Sequence, residues 1–233
     1  MGGGYMGYML IAGLASLIGM AVSGKLKSKF KQYSRVGLRN GLTGREIAEE
    51  MLKHYGIFDV KIVSGKGFLT DHYNPKSKTI SLSPHIYSGR SVMSAAVAAH
   101  ECGHAVQHAT AYQWLQTRSA IVPVVKVASY AQQILLFLAL YTFADNPQIL
   151  LITVIAFLVT AFFAFVTLPV EFDASNRALA WLEETGMTRG AEHEGAKDAL
   201  KWAGMTYVAN ALSALIMVLF FFAKYLSARD RNR

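Results

Sequence analysis

Cysteine is almost missing from this chain. The lone Cys102 cannot form an internal disulfide, so nothing is stapled and a reducing compartment is tolerated. Charge is scarce too. Only 16% of the 233 residues are charged against 53% hydrophobic, which excludes an ordinary soluble domain and makes a membrane protein the first expectation. No internal repeat or low-complexity tract is present. Nor does a positive region precede the first apolar stretch, residues 5–23; its basic residues follow it, so it reads as a retained anchor rather than a signal peptide. The formal net charge of +8 gathers just after that stretch, at the level of anionic lipid headgroups, which argues against nucleic acid as a partner.

Three more stretches approach the roughly 20 residues a helix needs to cross a bilayer. They are residues 121–143, 147–170 and 207–226. The first of these, interrupted by Lys126, Gln132 and Gln133, must turn those groups toward protein or water. Only the short run at Asp145, Asn146 and Pro147 separates it from the stretch that follows, so the two form a tight membrane hairpin, and Pro169 is expected to end or kink its second arm. Lys25, Lys27, Lys29, Lys31, Arg35 and Arg39 place the segment after the first span in the cytoplasm. Counting forward returns Glu171 to the cytoplasm. A complete fourth span then carries Lys224, Arg229, Arg231 and Arg233 outside, against the same rule.

The fold expected is a mainly α membrane protein of about four transmembrane helices, with a small α+β cytoplasmic region. Its divisions are an anchor (1–23), the α+β region (24–120), a transmembrane hairpin (121–170), a helical region (171–206), and a C-terminal apolar helix with a basic tail (207–233). In the α+β region a basic linker leads to Thr43 and Glu46, a capping-box pair that predicts a helix to about Tyr55 with Ile47, Met51, Leu52 and Tyr55 on one face and Gly56 as its C-cap. The runs 58–63, 68–70 and 79–82, with turn residues between, predict a small strand region with at least one hairpin. Residues 91–110 are rich in alanine and predict a helix.

That helix carries His100, Glu101, Cys102, Gly103 and His104. Positions i and i+4 stack on one helix face, so two imidazoles can grip one metal ion, zinc being the expected one. Glu101 lies beside that pair, where a carboxylate can take the proton of a water attacking a carbonyl. A catalytic zinc needs a third protein donor. His108 is about 12 Å along the axis from His100 and cannot share its coordination sphere. Glu171, an ionisable residue at a span boundary, is the better candidate, with Asp173 next and a merely interfacial carboxylate as the plain alternative. Arg177 could face a developing oxyanion, although a salt bridge explains it more simply.

The segment 97–108, VAAHECGHAVQH, resembles the active-site helix of the YugP-like neutral membrane zinc metallopeptidases. The resemblance extends to residues 69–75, 80–84 and 171–178, so it spans most of the chain. It implies a membrane-embedded, zinc-dependent endopeptidase of the prokaryotic plasma membrane, with one zinc per chain, acting on proteins or peptides at the bilayer. The family is similar to the HtpX-type membrane peptidases, where a glutamate opening a Glu-x-x-Ala-Asp pattern is the third ligand; by that likeness the role falls to Glu171. Ser175 stands where the pattern has an aspartate that would orient a ligand histidine, so Asp173 or Asn176 is expected to take over. The competing reading is a zinc-binding membrane scaffold without catalysis.

Overall fold

The structure is a computed structural model in which residues 2–142 and 146–231 are described, the side chains of residues 2–4, 141 and 142 excepted. Phe143, Asp145 and Arg233 lie outside the described residues. Helix α1 spans Gly2–Tyr33, so the basic segment expected as a linker is helical as far as Tyr33. Its lysines are good helix formers, and two of them find partners: Lys29 reaches Asp198 at 2.7 Å, and Lys25 lies over the Trp202 ring.

Helix α2, Gly44–His54, begins with the capping box foreseen at Thr43 and Glu46. Ile47, Met51 and Leu52 are buried, whereas Tyr55, expected on the same face, is 39% exposed past the helix end. Gly56 takes a φ of +67°, the left-handed value that glycine adopts without Cβ strain. Strands β1 (Lys61–Ser64), β2 (His72–Asn74) and β3 (Thr79–Leu82) form one sheet in the order β1-β3-β2. β1 runs parallel to β3, and β2 pairs with β3 as the hairpin, Tyr73 opposite Ile80. The Asn74 carboxamide oxygen accepts from the backbone N–H groups of Lys76 and Ser77, an Asx turn that sets the hairpin corner. The run 68–70 is loop rather than strand, because Gly67 and Leu69 take φ values of +97° and +57°.

Helix α3 (Pro84–Tyr87) leads to α4 (Val92–Ala109), which Ser91 caps by accepting from the Ser94 N–H. Helix α5, Gln113–Phe137, passes into a short π-helical stretch, Leu138–Thr142. Helix α6, Pro147–Glu184, runs through Pro169 without ending there, and α7, Ala191–Arg231, joins the two C-terminal segments read separately from sequence into one helix. A proline inside a long apolar helix is tolerated when neighbouring groups meet the freed carbonyl.

The chain divides into two compact units, one of Ser23–Gln116 with Pro169–Met205, the other of Met1–Val22, Thr117–Leu168 and Thr206–Arg233. The first has a core in which Ile47, Met51, Ile80, Leu82, Trp181 and Leu182 are almost wholly buried. Each such side chain contributes about 1.5–3 kcal/mol relative to exposure. The second packs Leu150, Phe157 and Phe221, the two rings stacked at 5.1 Å. Yet Leu10, Leu14, Leu17, Val127 and Ile134 stay exposed in it, an apolar surface that suits lipid and not water. Among the described residues four helices are long and apolar enough to cross a membrane: Tyr5–Tyr33, Gln113–Leu140, Pro147–Glu184 and Ala191–Arg231. Gln132 lines a cavity of about 500 Å³ in the second unit, with Ser129, Thr160 and Asn210 on its walls.

Candidate metal centre

Helix α4 presents His100 and His104 one turn apart, their rings 4.8 Å from centre to centre. The stretch of α6 after Pro169 lies against the same face of α4. Contact is close because residue 103 is glycine: a Cβ there would stand 2.5 Å from the Ala174 carbonyl oxygen. That approach brings Glu171 to the imidazoles. Its Oε2 lies 3.4 Å from His100 Nε2 and 3.5 Å from His104 Nε2.

These separations are long for hydrogen bonds, and among the described residues no donor satisfies Glu171 Oε2, although Glu171 is only 3% exposed. A buried carboxylate oxygen without a donor is costly. Two donors each about 2.0–2.1 Å from a tetrahedral ion stand about 3.3–3.4 Å apart, so the spacing suits a shared cation. The three donor atoms lie within 4.8 Å of one another, and this is the metal-competent group of three among the described residues. The donor set fits zinc.

Hydrogen bonds decide which ring nitrogens face Glu171. Gln107, fully buried, spends both amide N–H groups on the Val170 carbonyl at 2.8 Å and Asp173 Oδ2 at 2.7 Å. Its carboxamide oxygen is thereby aimed at His104 Nδ1, 3.0 Å away, which donates to it. His100 Nδ1 lies 3.1 Å from Ser175 Oγ, a hydroxyl able to accept from it. His104 Nε2 is thereby left with a lone pair toward the common centre, and His100 Nε2 faces the same centre.

Sequence reasoning assigned the orienting role to Asp173 or Asn176, and the structure corrects this. Ser175 itself supports His100, Asp173 acts one step removed through Gln107, and Asn176 is exposed. Serine suffices because an imidazole N–H needs only an acceptor at that distance. Gln107 was missed; its signal was an amide three residues beyond His104 on the ligand face. Arg177 Nε donates to Asp173 Oδ2 at 2.6 Å and its guanidinium lies over the Tyr112 ring, so its charge is committed to the Asp173 carboxylate. His108, read as a flanking polar group, joins the hydroxyl of Tyr73 on β2 at 2.7 Å.

Glu101 is 7% exposed, and burial pushes its carboxyl above the ordinary range, with His100 and His104 pulling the other way. Burial pulls the His104 imidazole down, but the Glu171 carboxylate beside it wins and raises it, so the pocket favours positive charge. Cys102 is buried on the opposite side of α4, its thiol directed to the Ala48 carbonyl.

A buried His-His-Glu donor set in a chain with four membrane-length helices defines a membrane metalloprotein of the metallopeptidase type. The chain belongs to the neutral zinc metallopeptidase family: the profile described as "Putative neutral zinc metallopeptidase" matches residues 8–225. It is 40% identical over 208 residues to the "Putative membrane protease YugP" of Bacillus subtilis (strain 168), covering 89% of this chain and 92% of that protein. No solved structure matches it.

Proposed function

We propose that the chain is a membrane-embedded zinc endopeptidase in which His100, His104 and Glu171 hold the ion and Glu101 is the catalytic base. The observation that carries this reading is Glu171 Oε2, buried without a hydrogen-bond donor at metal-sharing distances from two imidazoles whose Nε2 atoms face it. Zinc held there would polarise a peptide carbonyl and acidify water. Glu101 takes the proton of the attacking water and delivers it to the leaving amine, a task suited to a carboxyl raised by burial. Ser175 and Gln107 keep the two rings in the tautomer this requires.

The substrates are membrane or membrane-proximal proteins, engaged as extended chain. Strand β2 is an edge of its sheet and is tied to the motif helix through Tyr73 and His108, so its outer edge offers backbone hydrogen bonds beside the site. The basic residues after the first span support a cytoplasmic site, by the bias of such residues toward that face. A purely structural zinc site would call for a fourth protein ligand, and among the described residues no further histidine, cysteine or carboxylate joins the group of three.

The test is zinc content by elemental mass spectrometry together with cleavage of a membrane-protein substrate in detergent. His100→Ala, His104→Ala and Glu171→Ala are expected to lose metal and activity together; Glu101→Gln keeps the metal and loses activity. A Glu101→Gln protein that still cleaves, or a wild type that takes up no offered zinc, overturns the proposal.

A further inference from the structure

A second concave region lies away from the metal centre, within the unit containing Ser23–Gln116. It is a cleft of about 660 Å³ between the basic end of α1 and the segment that leads into α4. Lys27, Lys31 and Arg35 line one wall at i, i+4 and i+8, one face of a helix and its first turn beyond. Arg90 also lines the cleft, its guanidinium bonded to the Gly41 carbonyl and 3.8 Å from Glu46. Phe30 and Phe68 join edge to face at 4.8 Å on the apolar side, Phe68 being 51% exposed.

The lysines of α1 are thus sorted by face. Lys25 and Lys29 are consumed within the fold, on the Trp202 ring and on Asp198. Lys27, Lys31 and Arg35 have no acidic partner among the described residues, and no carboxylate lines the cleft. Three unneutralised cations on one wall repel each other and are stable together only with solvent or an anion between them. Their position narrows the choice of anion. Val22 closes the apolar run of the same helix, and Lys27 follows five residues later, about 7.5 Å along the axis, which is headgroup depth for a helix leaving a bilayer. An exposed aromatic such as Phe68 at that level matches the interface between headgroup and chain.

We propose that this cleft is a binding site for the headgroup of an anionic phospholipid, its phosphate held by Lys27, Lys31 and Arg35 and its glycerol end against Phe30 and Phe68. The cleft's lining includes Ser91, the cap of α4, so a bound headgroup braces the start of the helix that carries the two histidines. The proposal does not depend on the peptidase reading.

The experiment uses full-length protein in a neutral detergent, with lipid retention counted by native mass spectrometry after adding phosphatidylglycerol or phosphatidylcholine. Wild type is expected to retain phosphatidylglycerol and not phosphatidylcholine. Lys27→Gln, Lys31→Gln and Arg35→Gln combined weaken retention on the order of 100-fold, roughly fivefold per cation. A control with the same loss of charge elsewhere, Lys53→Gln, Lys61→Gln and Lys76→Gln, retains it as wild type does. Should the triple variant fail to fold, the wild type still decides the matter, since raising salt strips phosphatidylglycerol from the site. Equal retention of both lipids, unchanged retention in the folded triple variant, or insensitivity to salt overturns the proposal. Full displacement by inorganic phosphate or by polyglutamate overturns it in favour of a free anion or an acidic peptide.

Discussion

Each imidazole at the centre is held through its Nδ1 by a neutral partner, the Ser175 hydroxyl for His100 and the Gln107 carboxamide oxygen for His104, and Gln107 is itself fixed by two donated bonds. Losing either support frees a ring to rotate or change tautomer. Gln107→Leu and Ser175→Ala are each expected to lower zinc affinity about 10- to 100-fold, with Asn176→Ala, at an exposed position, unchanged; competition against a chromophoric chelator measures all three. Of these residues, the histidine pair and Glu101 were legible because helical spacing of four is a local property. Gln107 was not, because its meaning depends on a carbonyl at position 170 and a carboxylate at 173. Position 175 drew notice from sequence, but only the packed helices show that its serine is the side chain that reaches His100.

Between elements, the decisive contact is the crossing of α4 and the post-Pro169 stretch of α6. Gly103 permits it, and a methyl group there would meet the Ala174 backbone rather than a side chain that could turn away. Gly103→Ala is therefore expected to cost about 1–3 kcal/mol in thermal or denaturant melts and to weaken zinc binding with it. A melt unchanged from wild type would show that the crossing is not so tight. The capping box of α2 adds a pH dependence. The Thr43 backbone and hydroxyl donate to Glu46 and hold its carboxyl below its ordinary value of 4.5, so its contribution is complete above that value and is lost as pH falls through the lower, folded one. Glu46→Gln should flatten that acid limb of the stability profile; an acid limb identical to wild type would place the titration elsewhere. The capping box, the α4 helix and the hairpin all announce themselves in short sequence patterns. The continuity of α1 into its basic end, of α6 through Pro169 and of α7 across residue 206 does not, because composition changes along each of these helices while the backbone does not.

At the scale of the whole chain, four helices among the described residues are long and apolar enough to cross a membrane, and an even number of complete crossings returns both ends to one side. With a cytoplasmic metal centre, an impermeant maleimide should label Arg231→Cys in intact cells and reach Lys76→Cys and Glu194→Cys only after lysis, all in a Cys102→Ser background. Labelling of all three only after lysis would mean that α7 does not complete its crossing, in accord with the basic residues at its end. Hydropathy and helical period act over neighbouring residues, so the membrane class, the approximate spans and the one-turn spacing of His100 and His104 could be read from the chain alone. Packing was needed to show which distant carboxylate meets that pair, which side chains contact its rings, and which lysines of α1 are spent inside the fold and which face an open cleft. Those outcomes depend on how closely two helix backbones can approach and on which face of each helix is covered, and neither is written in any one segment.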